Sequence, residues 1–159
     1  MALDSETFEL MKDAVSRFVR EKLVPAEDKV EETNDVPEEI IQEMRELGLF
    51  GLSIPEEYGG LGLSMEQECE VIHELCKASL AFRSVIGTTV GIGSQGLVMT
   101  GTEEQKKQYL PRLASGEIIS SFCLTEPEAG SDAASLRTVA VRDGDDYVLN
   151  GTKRYITNA

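Results

Sequence analysis

The 159-residue chain has no tryptophan, one histidine, three cysteines, and only 15 basic residues against 29 acidic ones. The shortage of Lys and Arg gives a net charge of −14, which argues against a nucleic acid or an anionic membrane as partner, because neutralising phosphates needs a basic surface. Cys69, Cys76 and Cys123 are odd in number and lack CxxC spacing, so no disulfide framework or thiolate metal site is expected. They read as buried, reduced thiols, with Cys69 and Cys76 on the apolar side of a helix, and this suits a reducing compartment. His73 has no spaced partner ligands, so no metal centre is expected and a surface or packing role is assigned to it. A long apolar run is also missing. Residues 84–102 carry no charge, yet glycines and Ser, Thr and Gln dilute them well below a membrane span. The start, Met1-Ala2-Leu3-Asp4, has neither the basic and apolar regions of a secretory signal nor the Arg-rich character of a transit peptide, and a cytoplasmic location is the expectation.

What is present is ordinary for a soluble globular protein: 41% hydrophobic and 28% charged residues, too apolar for disorder. The length suits one core-bearing domain, or one domain and part of another. Phe8, Met11, Val15, Phe18 and Val19 form one apolar helical stripe behind the capping candidates Asp4 and Ser5. A second helix is predicted from the box Asp35-x-x-Glu38, burying Ile40, Ile41, Met44 and Leu47 and ending at Gly48. Ser64-x-x-Gln67 opens a third with Met65, Cys69, Ile72 and Cys76 on one side, and Thr102-x-x-Gln105 opens another with Tyr109, Leu110 and Leu113 inward. The acidic stretch 27–35 reads as a solvated helix end and connector. Within the uncharged stretch, Gly87 and Gly91 leave room for another backbone or a ligand.

After Gly116 the period changes. Residues 118–124, 136–142, 147–150 and 152–156 read as strands, with Asp143-Gly144 and Asn150-Gly151 as hairpin turns. The expected fold class is therefore α+β. An all-α domain over 1–116 precedes the first strands of an antiparallel β-domain over 117–159.

Between the first two of these strands, Glu126-Pro127-Glu128-Ala129-Gly130-Ser131-Asp132 packs a proline, a glycine and two short polar side chains into one tight turn. Gly130 lets backbone approach a phosphate, and the hydroxyls of Thr125 and Ser131 can bond a diphosphate or the edge of a heteroaromatic ring. With no Lys or Arg in the loop, any anion would meet N–H and O–H dipoles, which suits a resident cofactor. A strand-to-strand loop in which Asp132 or Ser131 makes an Asx- or Ser-type turn fits the same residues.

The run C-L-T-E-P-E-A-G-S-D-A-A-S over 123–135 resembles the signature of the acyl-CoA dehydrogenases, and Tyr155-Ile156-Thr157-Asn158 resembles that family's second flavin-contacting segment. The likeness extends upstream through Gly48-Leu49-Phe50-Gly51, through P-E-E-Y-G-G-L-G over 55–62, and through G-T-E-E-Q-K-K-Q-Y-L-P over 101–111. It implies an N-terminal α-domain, a middle β-domain and a C-terminal four-helix domain, the last absent from this chain.

The implied reaction is FAD-dependent α,β-dehydrogenation of an acyl-CoA thioester. A carboxylate from the C-terminal domain takes the α-proton, so neither Glu126 nor Glu128 is assigned as the base, and this chain alone is expected to be inactive. By resemblance Phe122, Cys123, Leu124, Thr125, Gly130 and Ser131 line FAD, with Thr125 near the isoalloxazine ring and Ser131 near the diphosphate and the coenzyme A portion of the substrate. Tyr155, Ile156 and Thr157 lie along the other part of the ring, with Thr157 at its N5 edge. Val85, Thr88, Thr89 and Ile92 correspond to a helix bordering the acyl-chain pocket, although ordinary core packing fits the same spacing. Implied partners are an electron-transfer flavoprotein, the remaining middle and C-terminal domains, and further copies in a homodimer or homotetramer. A flavin-dependent acyl-CoA oxidase and a non-catalytic binding or assembly module are the alternatives.

Overall fold

The computed structural model describes residues 3–159, and its contacts divide the chain after Ser120 into a helical unit and a smaller unit built around a hairpin. The helical unit opens with α1 (Ser5–Phe18), capped by the Asp4 carboxylate, which accepts from the N–H groups of Glu6 and Thr7. Phe8, Val15 and Phe18 are buried as the stripe predicts. The helix does not stop there: a π turn, Val19–Leu23, leads directly into α2 (Val24–Thr33). Pro25 has no N–H to give the carbonyl four residues back, and a widened turn just before it relieves the clash of its ring. The acidic stretch is thus mostly the body of α2, which ends where Asn34 takes a left-handed conformation.

Helix α3 (Glu38–Glu46) buries Ile40 and Met44 and terminates at Gly48, whose φ of +71° is the left-handed value a helix stop needs. Asp35 makes no cap; Pro37 stands at that position. The boxes at the start of α4 (Met65–Leu75) and α7 (Glu103–Ala114) form as predicted, each with both reciprocal bonds. Helix α5 (Leu80–Thr88), a second π turn (Thr89–Gly93) and α6 (Ser94–Thr100) make one continuous helix through the uncharged stretch. No described helix is long and apolar enough to cross a membrane.

One cluster holds the unit together: Leu23, Met44, Phe50, Leu75, Phe82 and Ile86 are fully buried at its centre. Each such side chain contributes about 1.5–3 kcal/mol. A smaller cluster of Ile54, Tyr58, Leu110, Leu113 and Ala114 lies under α7. Helix α4 presents Val71 and Leu75 to the core, while Met65, Cys69 and Cys76 are exposed. Its polar side chains explain the difference: Gln67 donates to the Leu3 carbonyl and Glu70 pairs with Lys12 of α1, turning that side of α4 inward. The expectation of buried thiols is therefore corrected, since Cys123 is exposed as well. Tyr109 is also partly exposed, at 37%, because α7 buries Leu110 and Leu113 instead.

In the second unit, β1 (Val139–Asp143) and β2 (Asp146–Asn150) pair antiparallel, with Val139 opposite Asn150 and Asp143 opposite Asp146. Gly144 begins the two-residue turn at φ +63°. Both faces of the hairpin are exposed. The other predicted strands do not form. Between 118 and 124, N–H groups donate locally or to side chains, as from Ser120 to the Thr89 hydroxyl. Residues 136–138 spend the Arg137 and Thr138 N–H groups on a carboxylate, so β1 starts late. Residues 152–156 break at Tyr155, whose φ is +57°, and Asn150-Gly151 closes no hairpin. Gly151 is needed for space instead: a Cβ there would overlap the Thr138 side chain.

Candidate functional site

The turn in the second unit closes on itself. Glu126 N–H donates to the Ala129 carbonyl at 2.9 Å, Ala129 N–H returns to the Glu126 carbonyl at 3.3 Å, and Pro127 occupies the first corner. The Glu126 side chain, only 6% exposed, is the anchor. Its carboxylate accepts from the N–H groups of Arg137 (2.6 Å) and Thr138 (2.9 Å), from the Thr138 hydroxyl, and from the Lys153 ammonium at 2.9 Å. The Thr138 hydroxyl, the Arg137 N–H and the Lys153 bond hold its pKa down at about 2. Glu126 is therefore a fixed anion with its lone pairs occupied, which is a structural part and no proton acceptor. Glu128 is exposed and pairs with Arg137.

Lys153 serves a second purpose by donating to the Leu124 carbonyl at 3.0 Å, while Arg154 N–H donates to the Thr125 carbonyl at 2.8 Å. These two bonds bring together the two segments read from sequence as flavin-contacting, 122–131 and 155–157. Leu124, Thr125 and Ile156 are half-buried; Phe122, Cys123, Gly130, Ser131, Tyr155 and Thr157 are exposed. A Cβ at Gly130 would meet nothing within 4 Å, so its backbone is open to approach. The Arg154 guanidinium lies over the Tyr155 ring, 4.6 Å from its centroid. A hollow of about 200 Å³ beside the turn is lined by residues 126–128 of the first segment with Arg137, Thr138, Gly151 and Thr152, and by none of the nine individually assigned flavin residues.

In the helical unit, the four residues read as lining an acyl pocket sit in different surroundings. Val85 and Thr88 are half-buried, Ile92 is 55% exposed, and Thr89 is fully buried in the π turn with its hydroxyl accepting from Ser120 N–H at 3.1 Å. The carbonyl of Val90 in that turn accepts from the hydroxyls of Ser53 (2.8 Å) and Ser94 (3.2 Å). Sequence reasoning missed Lys153, Thr138 and this π turn. Their partners lie 27, 12 and 37 residues away, where no periodicity signals them.

Residues 5–117 match the family model described as the acyl-CoA dehydrogenase N-terminal domain, and residues 121–159 match the one described as its middle domain. The chain belongs to the acyl-CoA dehydrogenase family. An acyl-CoA dehydrogenase of Bacillus subtilis is 40% identical over 149 residues, which cover 94% of this chain and 39% of that protein. A solved structure of a Bacillus anthracis acyl-CoA dehydrogenase complexed with FAD superposes with a TM-score of 0.86 at 38% identity, over 98% of this chain and 27% of that one. A chain from a structure described as the electron transferring flavoprotein of Acidaminococcus fermentans gives a TM-score of 0.90 at 36% identity, over 99% of this chain and 42% of that one. The chain thus spans about two-fifths or less of the length of these acyl-CoA dehydrogenase relatives and structural neighbours.

Proposed function

We propose that this chain supplies the N-terminal domain and the flavin-contacting start of the middle domain of an FAD-dependent acyl-CoA dehydrogenase. The observation that carries the reading is the bond from Arg154 N–H to the Thr125 carbonyl, which joins the two flavin-contacting segments of the family. The donor set fits the cofactor: the Thr125, Ser131 and Thr157 hydroxyls and the open backbone at Gly130 are neutral partners for a diphosphate and a ring edge. The one carboxylate at the turn's base, Glu126, is already neutralised by Lys153.

FAD, when bound, supplies hydride acceptance. The chain's own residues bind and orient: Thr125 and Thr157 at the ring, Ser131 toward the diphosphate and the coenzyme A portion of the substrate, Tyr155 and Phe122 as apolar cover. By the family resemblance the proton-abstracting carboxylate comes from the C-terminal domain, and neither Glu126, held ionised and saturated, nor Glu128, an exposed ion-pair partner, is assigned that role. Val85, Thr88 and Ile92 face the acyl chain in this reading.

An electron-transfer flavoprotein is the proposed acceptor, and a homodimer or homotetramer the proposed assembly, supported by the need to cover Met65, Leu80 and Met99, each more than 60% exposed. Three exposed free thiols support a reducing compartment such as the cytoplasm. The test is an FAD titration of the complete protein beside Thr157→Ala. The variant is expected to bind flavin about tenfold more weakly or to slow its reduction to that extent. Unchanged affinity and reduction rate would remove Thr157 from the site. Oxygen consumption matching turnover would move the protein to the oxidases.

A further inference from the structure

The helix through the uncharged stretch contains a feature that acyl-pocket lining does not explain. Thr89 is fully buried, and its hydroxyl accepts from the backbone N–H of Ser120 at 3.1 Å and lies 3.4 Å from the Ser120 hydroxyl. A threonine inside a helix ordinarily turns its hydroxyl to the carbonyl one turn back or to solvent. Here it reaches a residue 31 positions on. One turn further along, a Cβ placed on Gly93 would overlap the Oγ and Cβ of Ser120, and also the Thr88 carbonyl. Gly93 is absent from the positive-φ glycines, so its missing side chain serves space alone.

The π turn that carries both residues is held from outside its own helix. The Val90 carbonyl accepts from Ser53, and Gln95 donates to the Ser53 carbonyl at 3.4 Å. One hydroxyl and one absent methyl therefore form a seat for Ser120, on a turn that is itself pinned. Ser120 is the last residue of the helical unit, and Phe122, where the flavin-contacting run begins, follows two residues later, within about 7 Å of chain.

We infer that Thr89 and Gly93 form a latch that fixes Ser120 and thereby restrains the start of the flavin-contacting run, making Thr89 a positioning residue and not a lining of the acyl pocket. The inference rests on the FAD reading above only for its second half. The latch itself is a property of the helical unit. Its consequence is that a change in the first domain, in a side chain with no surface to offer a ligand, alters flavin binding.

The experiment uses the complete protein with Thr89→Val, Thr89→Ser and Gly93→Ala. Valine has the shape of threonine and keeps the packing while losing the acceptor; serine keeps the acceptor; alanine at 93 pushes Ser120 off its seat from the other side. Amide hydrogen exchange over 119–124 is measured on flavin-free protein, and FAD affinity is measured by quenching of flavin fluorescence. Thr89→Val and Gly93→Ala are expected to raise exchange about tenfold and to weaken FAD by a similar factor, with Thr89→Ser close to the unsubstituted protein in both. Exchange unchanged in Thr89→Val and Gly93→Ala would overturn the latch. Raised exchange with unaltered FAD affinity would overturn the positioning role. A complete protein that binds no FAD in any form would overturn the functional reading, and the exchange data would still decide the latch.

Discussion

Lys153 sits 2.9 Å from the Glu126 carboxylate and 3.0 Å from the Leu124 carbonyl, so one ammonium ties the base of the turn to the strand-like run before it. Around that pair the second unit is organised. Lysine supplies three donors from a point charge, whereas methionine, of similar length, supplies none.

Replacing Lys153 by methionine keeps the length of the stem and removes both bonds. A buried carboxylate then loses its countercharge, and the 122–131 and 152–157 segments separate. Amide exchange at Arg154 is expected to rise about tenfold, with a parallel loss in FAD affinity of the complete protein. Arginine at the same position, whose planar fork does not reproduce the geometry, is expected to recover only part of both.

The pH dependence follows from Glu126. Its pKa falls from an ordinary 4.5 to about 2 on folding, so the ionised form favours the folded turn. That stabilisation is fully present above pH 4.5 and is lost as pH falls through about 2, where the carboxyl is protonated even in the folded turn. The Thr138 amide resonance reports it, because its N–H donates to the same carboxylate. It is expected to hold steady as pH falls until the folded carboxyl titrates at about 2, and to move toward an unbonded position there. Glu126→Gln abolishes the acid transition; a transition that persists in this variant would assign it to another group.

The capping boxes give a direct stability test. Ser64→Ala and Thr102→Ala each remove an acceptor for a first-turn N–H, and each is expected to lower the unfolding free energy by about 1 kcal/mol in chemical denaturation. Phe82→Ala empties a fully buried aromatic site and costs about 3–5 kcal/mol.

Thiol chemistry separates the two pictures of α4. With Cys69, Cys76 and Cys123 exposed, a thiol reagent added to the folded chain modifies all three without denaturant. Protection of Cys69 and Cys76 would restore the apolar stripe read from sequence.

The sequence carries the helices and their ends well. Phe8, Val15 and Phe18 mark α1, Gly48 stops α3, and Gly144 turns the hairpin, because these signals are local and backbone-driven. The face of α4 was not legible. Met65-Cys69-Cys76 and Val71-Leu75 both fit a helical period, and the choice was made by Gln67 and Glu70, polar residues that bond α1 and its lead-in. Strands at 118–124 and 152–156 have the right residue types, yet a strand needs a ladder partner, and their N–H groups go to a threonine hydroxyl and isolated carbonyls. The nine residues expected to contact flavin were named through resemblance to the family. What the residues could not announce was Glu126 at the centre, since its partners Thr138 and Lys153 are distant in sequence and individually unremarkable.

The most direct test of the account is anaerobic addition of a saturated acyl-CoA thioester to the purified complete protein while the absorbance of its oxidised flavin is followed. The account predicts bleaching of that band with formation of the α,β-unsaturated thioester, stoichiometric with flavin. A protein that carries FAD and shows neither bleaching nor product with short, long or branched acyl groups would contradict it.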